Sequence, residues 1–185
     1  DKEDSKAIRA VANAYDVYYK GSHRAKQLYN MAIASLQAER QLKQPTLLEQ
    51  AKEASLIDIS LPDIKGKQQK LSDLKGKVVL LDFTAYQTDY SPEYNILLAK
   101  IYKQFRDKGF EIYQVSLDNN ENFWKVSASN LPWICVRDEA SIYSTVANLY
   151  NVKNLPSAFL IDRTGAIQKR IASIESISGE IQKLL

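Results

Sequence analysis

The chain has 185 residues, of which 45% are hydrophobic and 25% are charged, so it is able to build one core of ordinary size plus an appendage. Its formal net charge is only +3, and basic and acidic residues are interleaved, which argues against a nucleic-acid-binding protein. A single cysteine excludes a disulfide within this chain, and no apolar run approaches the ~20 residues that cross a bilayer.

The first 54 residues are predicted to form a helical extension. Apolar residues recur at helical spacing on both sides of residues 21–23, which predicts two amphipathic helices. Pro45 ends the second helix, and residues 46–49 (Thr-Leu-Leu-Glu) have the pattern of a capping box that starts a short third one.

Residues 55–185 show a different pattern and are predicted to form a second unit. A strand is expected at 56–60, a turn at 62–67 and a helical turn at 72–74, closed by Gly76. The elements expected after it are strands at 78–84, 110–117, 133–137, 157–162 and 166–171 and helices at 91–108, 120–129, 141–150 and 176–184. This order predicts an α/β fold, with helices on both faces of a central mixed sheet.

Several stretches of this second unit occur together in one known family. They are residues 61–67 (Leu-Pro-Asp-Ile-Lys-Gly-Lys), 71–83, 109–118 and 150–162. Their order and spacing resemble the TlpA/ResA-like branch of the thioredoxin superfamily, the redoxin or AhpC/TSA group. The resemblance covers about 56–185 and implies a thioredoxin-like fold in a family of thiol-disulfide oxidoreductases.

The resemblance also implies a location in the periplasm or cell envelope. Members of this branch often follow an N-terminal domain, so residues 1–54 are expected to be the tail of an upstream region. Membrane anchoring is expected only through such a region, because no signal peptide is visible in this chain.

The family's Cys-x-x-Cys motif is missing. Aligned without gaps on residues 82–91 (Asp-Phe-Thr-Ala-Tyr-Gln-Thr-Asp-Tyr-Ser), its two positions hold Thr88 and Ser91. The pKa of a hydroxyl lies several units above that of a thiol, and a helix dipole worth ~1 kcal/mol shifts a pKa by less than one unit. The only histidine, His23, lies far upstream. We therefore expect no catalytic residue, metal or cofactor, and we expect Thr88 and Ser91 to cap the helix.

A binding groove does not depend on thiols. Leu155-Pro156 matches the family's cis-proline loop, and a cis X–Pro bond lets an extended peptide pair with the preceding backbone. The residues expected to line this groove are Tyr86, Gln87, Asp89, Tyr90, Leu155 and Pro156. The alternative that Pro156 only shapes the entry into the next strand stays open.

Cys135 is expected to pack in the core. It alternates with Ile134 and Val136 and should share the opposite face of its strand with Trp133. A free cysteine is usually a buried, small hydrophobic residue, and no cationic group or helix start is predicted beside it to activate it.

The favoured hypothesis is a thioredoxin-like domain that has lost dithiol activity and binds a protein or peptide partner. One alternative is an oxidoreductase or redox sensor that uses Cys135 or a cysteine outside this chain. Another is a structural protein that forms a homodimer through helices in residues 1–54.

Overall fold

The computed structural model describes residues 57–174 and 177–185, together with scattered positions between Ala10 and Ala34. Those scattered positions are helical, as predicted for that part of the chain. The rest of the predicted extension, including the short helix expected after Pro45 and any dimer contact, lies outside the described residues.

Eleven helices and strands follow one another in the described part. They are β1 (Ser60–Pro62), β2 (Gln68–Lys70), β3 (Val78–Thr84), α1 (Ser91–Phe105), β4 (Phe110–Ser116), α2 (Glu121–Ala128), β5 (Ile134–Arg137), α3 (Thr145–Leu149), β6 (Ser157–Ile161), β7 (Ile167–Ile171) and α4 (Ile177–Leu184). Short 3-10 helices span Leu71–Leu74, Arg106–Lys108 and Ser141–Tyr143.

The central sheet is mixed, as predicted. Its strand order is β5-β4-β3-β6-β7. Strands β5, β4 and β3 run parallel to one another, whereas β6 is antiparallel to both β3 and β7. The β1–β2 hairpin forms a separate two-stranded sheet, which meets β5 through a bridge between Asp63 and Val136.

Strand β3 lies between two hydrophobic clusters, one on each face of the sheet. Every residue from Val78 to Thr84 is buried, because alternate side chains of the strand enter opposite clusters. Leu80 packs in the cluster that includes residues of α1 and α4, and Leu81 in the cluster that includes Tyr150 and residues of β6. The loop of residues 85–90 therefore follows a strand that is buried on both faces.

The first strand is shifted relative to the prediction. Residues 57–59 form no regular structure, and β1 begins at Ser60. The cause is Asp58, whose carboxylate accepts hydrogen bonds from Ile59 N (2.9 Å), Ser72 N (2.9 Å) and Ser72 Oγ (2.7 Å). These bonds tie the segment to the 3-10 helix rather than to a strand ladder.

The helix predicted at 141–150 is divided in two. Ser141 has a φ of +50° and donates its hydroxyl to Leu117 O (2.6 Å), so the first turn is a 3-10 helix. Ser144 then accepts a hydrogen bond from Ala147 N (2.8 Å) and caps α3. The apolar spacing predicts one continuous helix, but the hydrogen bonds of the two serine side chains divide it into a 3-10 helix and α3.

Candidate functional site

The structure brings the two predicted walls of the groove together. Phe83, next to last in β3, pairs with Ser157, the first residue of β6. The chain therefore leaves β3 beside the segment that enters β6. Leu155 packs against Ala85 and Ile142, and the Leu155–Pro156 peptide bond is cis. We use "the groove" for the surface between residues 87–90 and Leu155–Pro156.

The two positions that replace the family's cysteines are buried. Thr88 is 6% exposed and Ser91 is 2% exposed. The Thr88 hydroxyl donates to Ala85 O (2.6 Å), and the Ser91 hydroxyl accepts from Asn95 Nδ2 (3.3 Å). Neither hydroxyl has a basic side chain as hydrogen-bond partner in these contacts, so nothing there prepares it as a nucleophile.

The start of α1 differs from the predicted capping arrangement. The helix begins at Ser91, its N-cap residue is Tyr90, and no side chain makes a capping hydrogen bond there. The prediction that Thr88 and Ser91 cap the helix is therefore wrong. The Thr88 hydroxyl donates to Ala85 O instead, and the Ser91 hydroxyl accepts from Asn95 in the next turn. Pro92 is the second residue of the helix and lies in its first turn.

Tyr86 lies inside the protein rather than on the groove. Its ring is 5% exposed, and its hydroxyl donates to Gln114 Oε1 (2.7 Å). Burial of a tyrosine hydroxyl is favourable where it finds a hydrogen-bond partner, and Gln114 on the adjacent strand β4 supplies one. The prediction of Tyr86 as a groove residue is corrected accordingly.

Gln114 is the centre of a buried polar network. Its Oε1 accepts from Tyr86 Oη, Trp133 Nε1 (2.9 Å) and the Cys135 thiol (3.8 Å). Its Nε2 donates to Asp82 Oδ2 (2.9 Å) and Asn95 Oδ1 (3.1 Å). Through Asn95 the network reaches Ser91, so one family cysteine position is connected to the core by side-chain amides.

Asp82 is the acidic member of this network. It is fully buried on β3, and Tyr94 Oη donates to its Oδ1 (2.6 Å). Burial raises the pKa of Asp82 to about 6, although the hydrogen bonds from Tyr94 and Gln114 favour the ionised form. A carboxyl group with this pKa changes charge near neutral pH, yet no thiol lies at the positions 88 and 91 above it.

Cys135 lies on β5, three strands from β6, and its thiol contacts the buried Tyr86 side chain. On β5 it is opposite Gln114, which is opposite Asp82 on β3, which in turn is opposite Ala158 on β6. Three strand spacings separate Cys135 from Ala158, or roughly 14 Å. Cys135 shares a cluster with Trp133, as predicted, and burial raises the pKa of its thiol to about 12. This environment opposes thiolate formation.

The remaining groove residues differ in exposure. Asp89 is exposed, whereas Gln87, Tyr90, Leu155 and Pro156 are half-buried. Tyr90 packs edge-to-face on Tyr94 with ring centroids 6.4 Å apart. Burial raises the pKa of Tyr90 to about 12, while the nearby hydroxyls of Thr88 and Thr84 act in the opposite direction. Tyr90 therefore lies against the hydroxyls of Thr84 and Thr88.

Asp118 was not predicted as a site residue. It is fully buried after β4, where its carboxylate accepts from Tyr86 N (2.8 Å) and Gln87 N (3.0 Å). Ser116 Oγ donates to the same carboxylate (2.7 Å). Asp118 therefore holds the backbone of the loop that forms one wall of the groove. A carboxylate directly after a predicted buried strand was the one signal in the sequence that pointed to Asp118. Its partners Gln87 and Tyr86 lie 31 and 32 residues away, so the sequence pattern does not reveal them.

The fold and the arrangement of the loop at the tip of α1 are those of a thioredoxin-like domain. The AhpC/TSA family profile matches residues 53–170, and the chain belongs to the AhpC/TSA family. The family and the fold that the resemblance implied are both confirmed.

Curated relatives include thiol-disulfide oxidoreductases. The chain is 30% identical to the thiol-disulfide oxidoreductase ResA of Bacillus cereus over 129 residues, which cover 66% of this chain and 72% of that protein. It is 34% identical to ResA of Bacillus subtilis over 113 residues, which cover 59% of this chain and 60% of that protein.

The chain is also similar to solved structures of thioredoxin-like proteins. A thioredoxin-like protein from Bacteroides vulgatus is 51% identical with a TM-score of 0.66, and the match covers 70% of this chain and 86% of that one. A thiol-disulfide oxidoreductase from Bacteroides fragilis NCTC 9343 is 30% identical with a TM-score of 0.65, covering 71% of this chain and all of that one.

Within the described ranges, the helices are too short or too polar for any of them to span a membrane.

Proposed function

We propose that this thioredoxin-like domain binds an extended segment of a protein partner in the groove and does not exchange disulfides. The observation that carries the proposal is the pair of buried hydroxyls at Thr88 and Ser91, in the place of two thiols. Their hydrogen bonds are made with a backbone carbonyl and an amide side chain, which serve packing rather than activation.

The groove itself supports binding. Leu155 packs on Ala85, so the Leu155–Pro156 wall is anchored on the segment that follows β3. The loop wall is held by the Asp118 carboxylate, which leaves the groove with a fixed backbone on that side. Backbone that is fixed before binding lowers the entropy cost of pairing with an extended peptide.

The alternative of an oxidoreductase that uses Cys135 has little support. The thiol is buried, its pKa is raised to about 12, and three strand spacings separate it from Ala158 of β6. A cysteine supplied by another region of the protein, and a homodimer through residues 1–54, stay predictions. The resemblance to ResA- and DsbE-like proteins supports a location in the periplasm or cell envelope, which fractionation of the native host would test.

Reduction of insulin by dithiothreitol tests the loss of redox activity. We expect the wild-type protein to accelerate insulin precipitation no more than dithiothreitol alone does, because neither hydroxyl can replace a thiolate. The double variant T88C/S91C is expected to accelerate it, because it returns two thiols to the start of α1. The variant C135A removes the one native thiol and should match the wild type. Acceleration by the wild type would contradict the proposal.

Binding is tested separately with a library of random 12-residue peptides. Peptides enriched on the wild-type protein are titrated into 15N-labelled protein. We expect the amides of Gln87, Tyr90 and Leu155 to shift, while those of α4 stay in place. Enriched peptides that leave the groove amides unchanged would refute the assignment of the groove.

A further inference from the structure

The segment that contains Leu155 and Pro156 is contacted by a side chain of the neighbouring strand β7. We use "the cis-proline loop" for residues 151–157, which connect α3 to β6. Its two ends are contacted by one side chain of the edge strand β7. Arg170 donates to Asn151 O (2.9 Å) through one guanidinium nitrogen and to Ser157 Oγ (3.0 Å) through the other.

The contact extends into the middle of the loop. Ser157 Oγ, which accepts from Arg170, donates in turn to Asn154 O (2.6 Å). The guanidinium also lies 5.2 Å from the ring centroid of Phe159, its partner across the β6–β7 pair. Arg170 is half-buried, so these contacts are partly shielded from water.

The geometry of the guanidinium matters here. A planar fork donates to two acceptors at once, whereas the single ammonium of lysine is a point charge on a flexible chain. Arg170 connects the start of the loop at Asn151, which has a φ of +49°, to its end at Ser157. The residues between these two points include Leu155 and Pro156.

We propose that Arg170 is a positioning residue that holds the cis-proline loop where Leu155 forms one wall of the groove. Arg170 lies on β7 and acts through Asn151 and Ser157 rather than as a wall of the groove. The inference rests on the proposed function, because it assigns Arg170 a role in peptide binding at that same groove.

Backbone dynamics test the inference without a ligand. We expect 15N order parameters of Lys153, Asn154 and Leu155 to be near ~0.85 in the wild type and to fall below ~0.6 in R170M. R170K should give values between the two, because one donor replaces two. K169M is the matched control: Lys169 precedes Arg170 on β7 but pairs with Glu180 (3.1 Å), so its loss should leave the loop unchanged.

Affinity provides the second measurement. The probe is the peptide most enriched from the 12-residue library on wild-type protein. We expect its Kd to rise about tenfold in R170M, as when a hydrogen bond to a charged group is lost, and to stay unchanged in K169M. I177V, a mild destabilisation on the buried face of α4, controls for stability and should leave the Kd unchanged.

The outcomes separate the two proposals. Unchanged order parameters in R170M would overturn the role of Arg170, whatever the affinity. An equal loss of affinity in I177V and R170M would also overturn it, since general destabilisation would then explain both. If the order parameters fall in R170M but no library peptide binds the wild type, Arg170 holds the loop and the proposed function fails.

Discussion

At the scale of single residues, the most informative feature is the buried polar network around Gln114, below the positions of Thr88 and Ser91. Gln114 uses both ends of its amide, with Oε1 accepting from Tyr86 and Trp133 and Nε2 donating to Asp82. The sequence predicted the buried position of Trp133 beside Cys135 correctly. It did not predict the inward turn of Tyr86, because that depends on the register that places Gln114 opposite Asp82.

Asp82 makes stability dependent on pH. Its folded-state pKa is raised from 3.8 to about 6, so the folded protein retains a proton that the unfolded chain has already released. Its contribution to the free energy of unfolding is therefore largest below pH ~4. It declines by about 3 kcal/mol as the pH rises through ~6, and it is constant above that.

Urea unfolding at pH 4, 5, 6 and 7 measures this effect. Relative to the wild type, D82N should gain up to about 3 kcal/mol in free energy of unfolding between pH 4 and pH 7, because an amide does not titrate. D107N is the control, since Asp107 is exposed and pairs with its neighbour Arg106 at the surface. A difference between wild type and D82N that is the same at every pH would contradict the titration of Asp82.

At the scale of elements, the strand β3 and the helix α1 were predicted to within a few residues. An unbroken apolar run with a serine and a proline after it leaves few alternatives for that segment. The prediction failed where one polar side chain overrides the apolar pattern, as Asp58 does before β1 and Ser144 does before α3. Such side chains act through partners that periodicity does not reveal.

The loop between β3 and α1 depends on the residue after β4. D118A removes three hydrogen bonds and leaves the amides of Tyr86 and Gln87 without their acceptor. We expect a loss of about 3 kcal/mol in the free energy of unfolding, and faster hydrogen exchange at those two amides than in the rest of the protein.

E121A is the matched control for D118A. Glu121 lies three residues further on but is exposed, and its ion pair with Lys125 (2.7 Å) is screened by solvent, so its loss should leave exchange at those two amides unchanged. Normal exchange at Tyr86 and Gln87 in D118A would show that the loop is held by other contacts.

At the scale of the whole molecule, the two hydrophobic clusters share one strand. Neighbouring residues of β3 face opposite sides of the sheet, so we expect the two clusters to unfold together. The sequence indicated this arrangement, because a strand with no polar alternation must be covered on both faces.

Truncation on either face should therefore have the same effect. L80A and L81A are each expected to lower the free energy of unfolding by about 2–5 kcal/mol, with one transition seen both by tryptophan fluorescence and by circular dichroism. I96A is the control on the exposed side of α1, where the change should stay within about 0.5 kcal/mol. Separate transitions for the two probes would mean that the clusters unfold independently.

The seclusion of Cys135 has a practical consequence. It is the one sulfhydryl of the chain, and on the edge strand β5 it shares the acceptor Gln114 Oε1 with Trp133. A thiol-specific dye can react with Cys135 only when β5 separates from its neighbours. The labelling rate therefore measures how often this edge of the domain opens. The native chain carries this reporter without any engineering, and it reads out every variant described above that keeps Cys135.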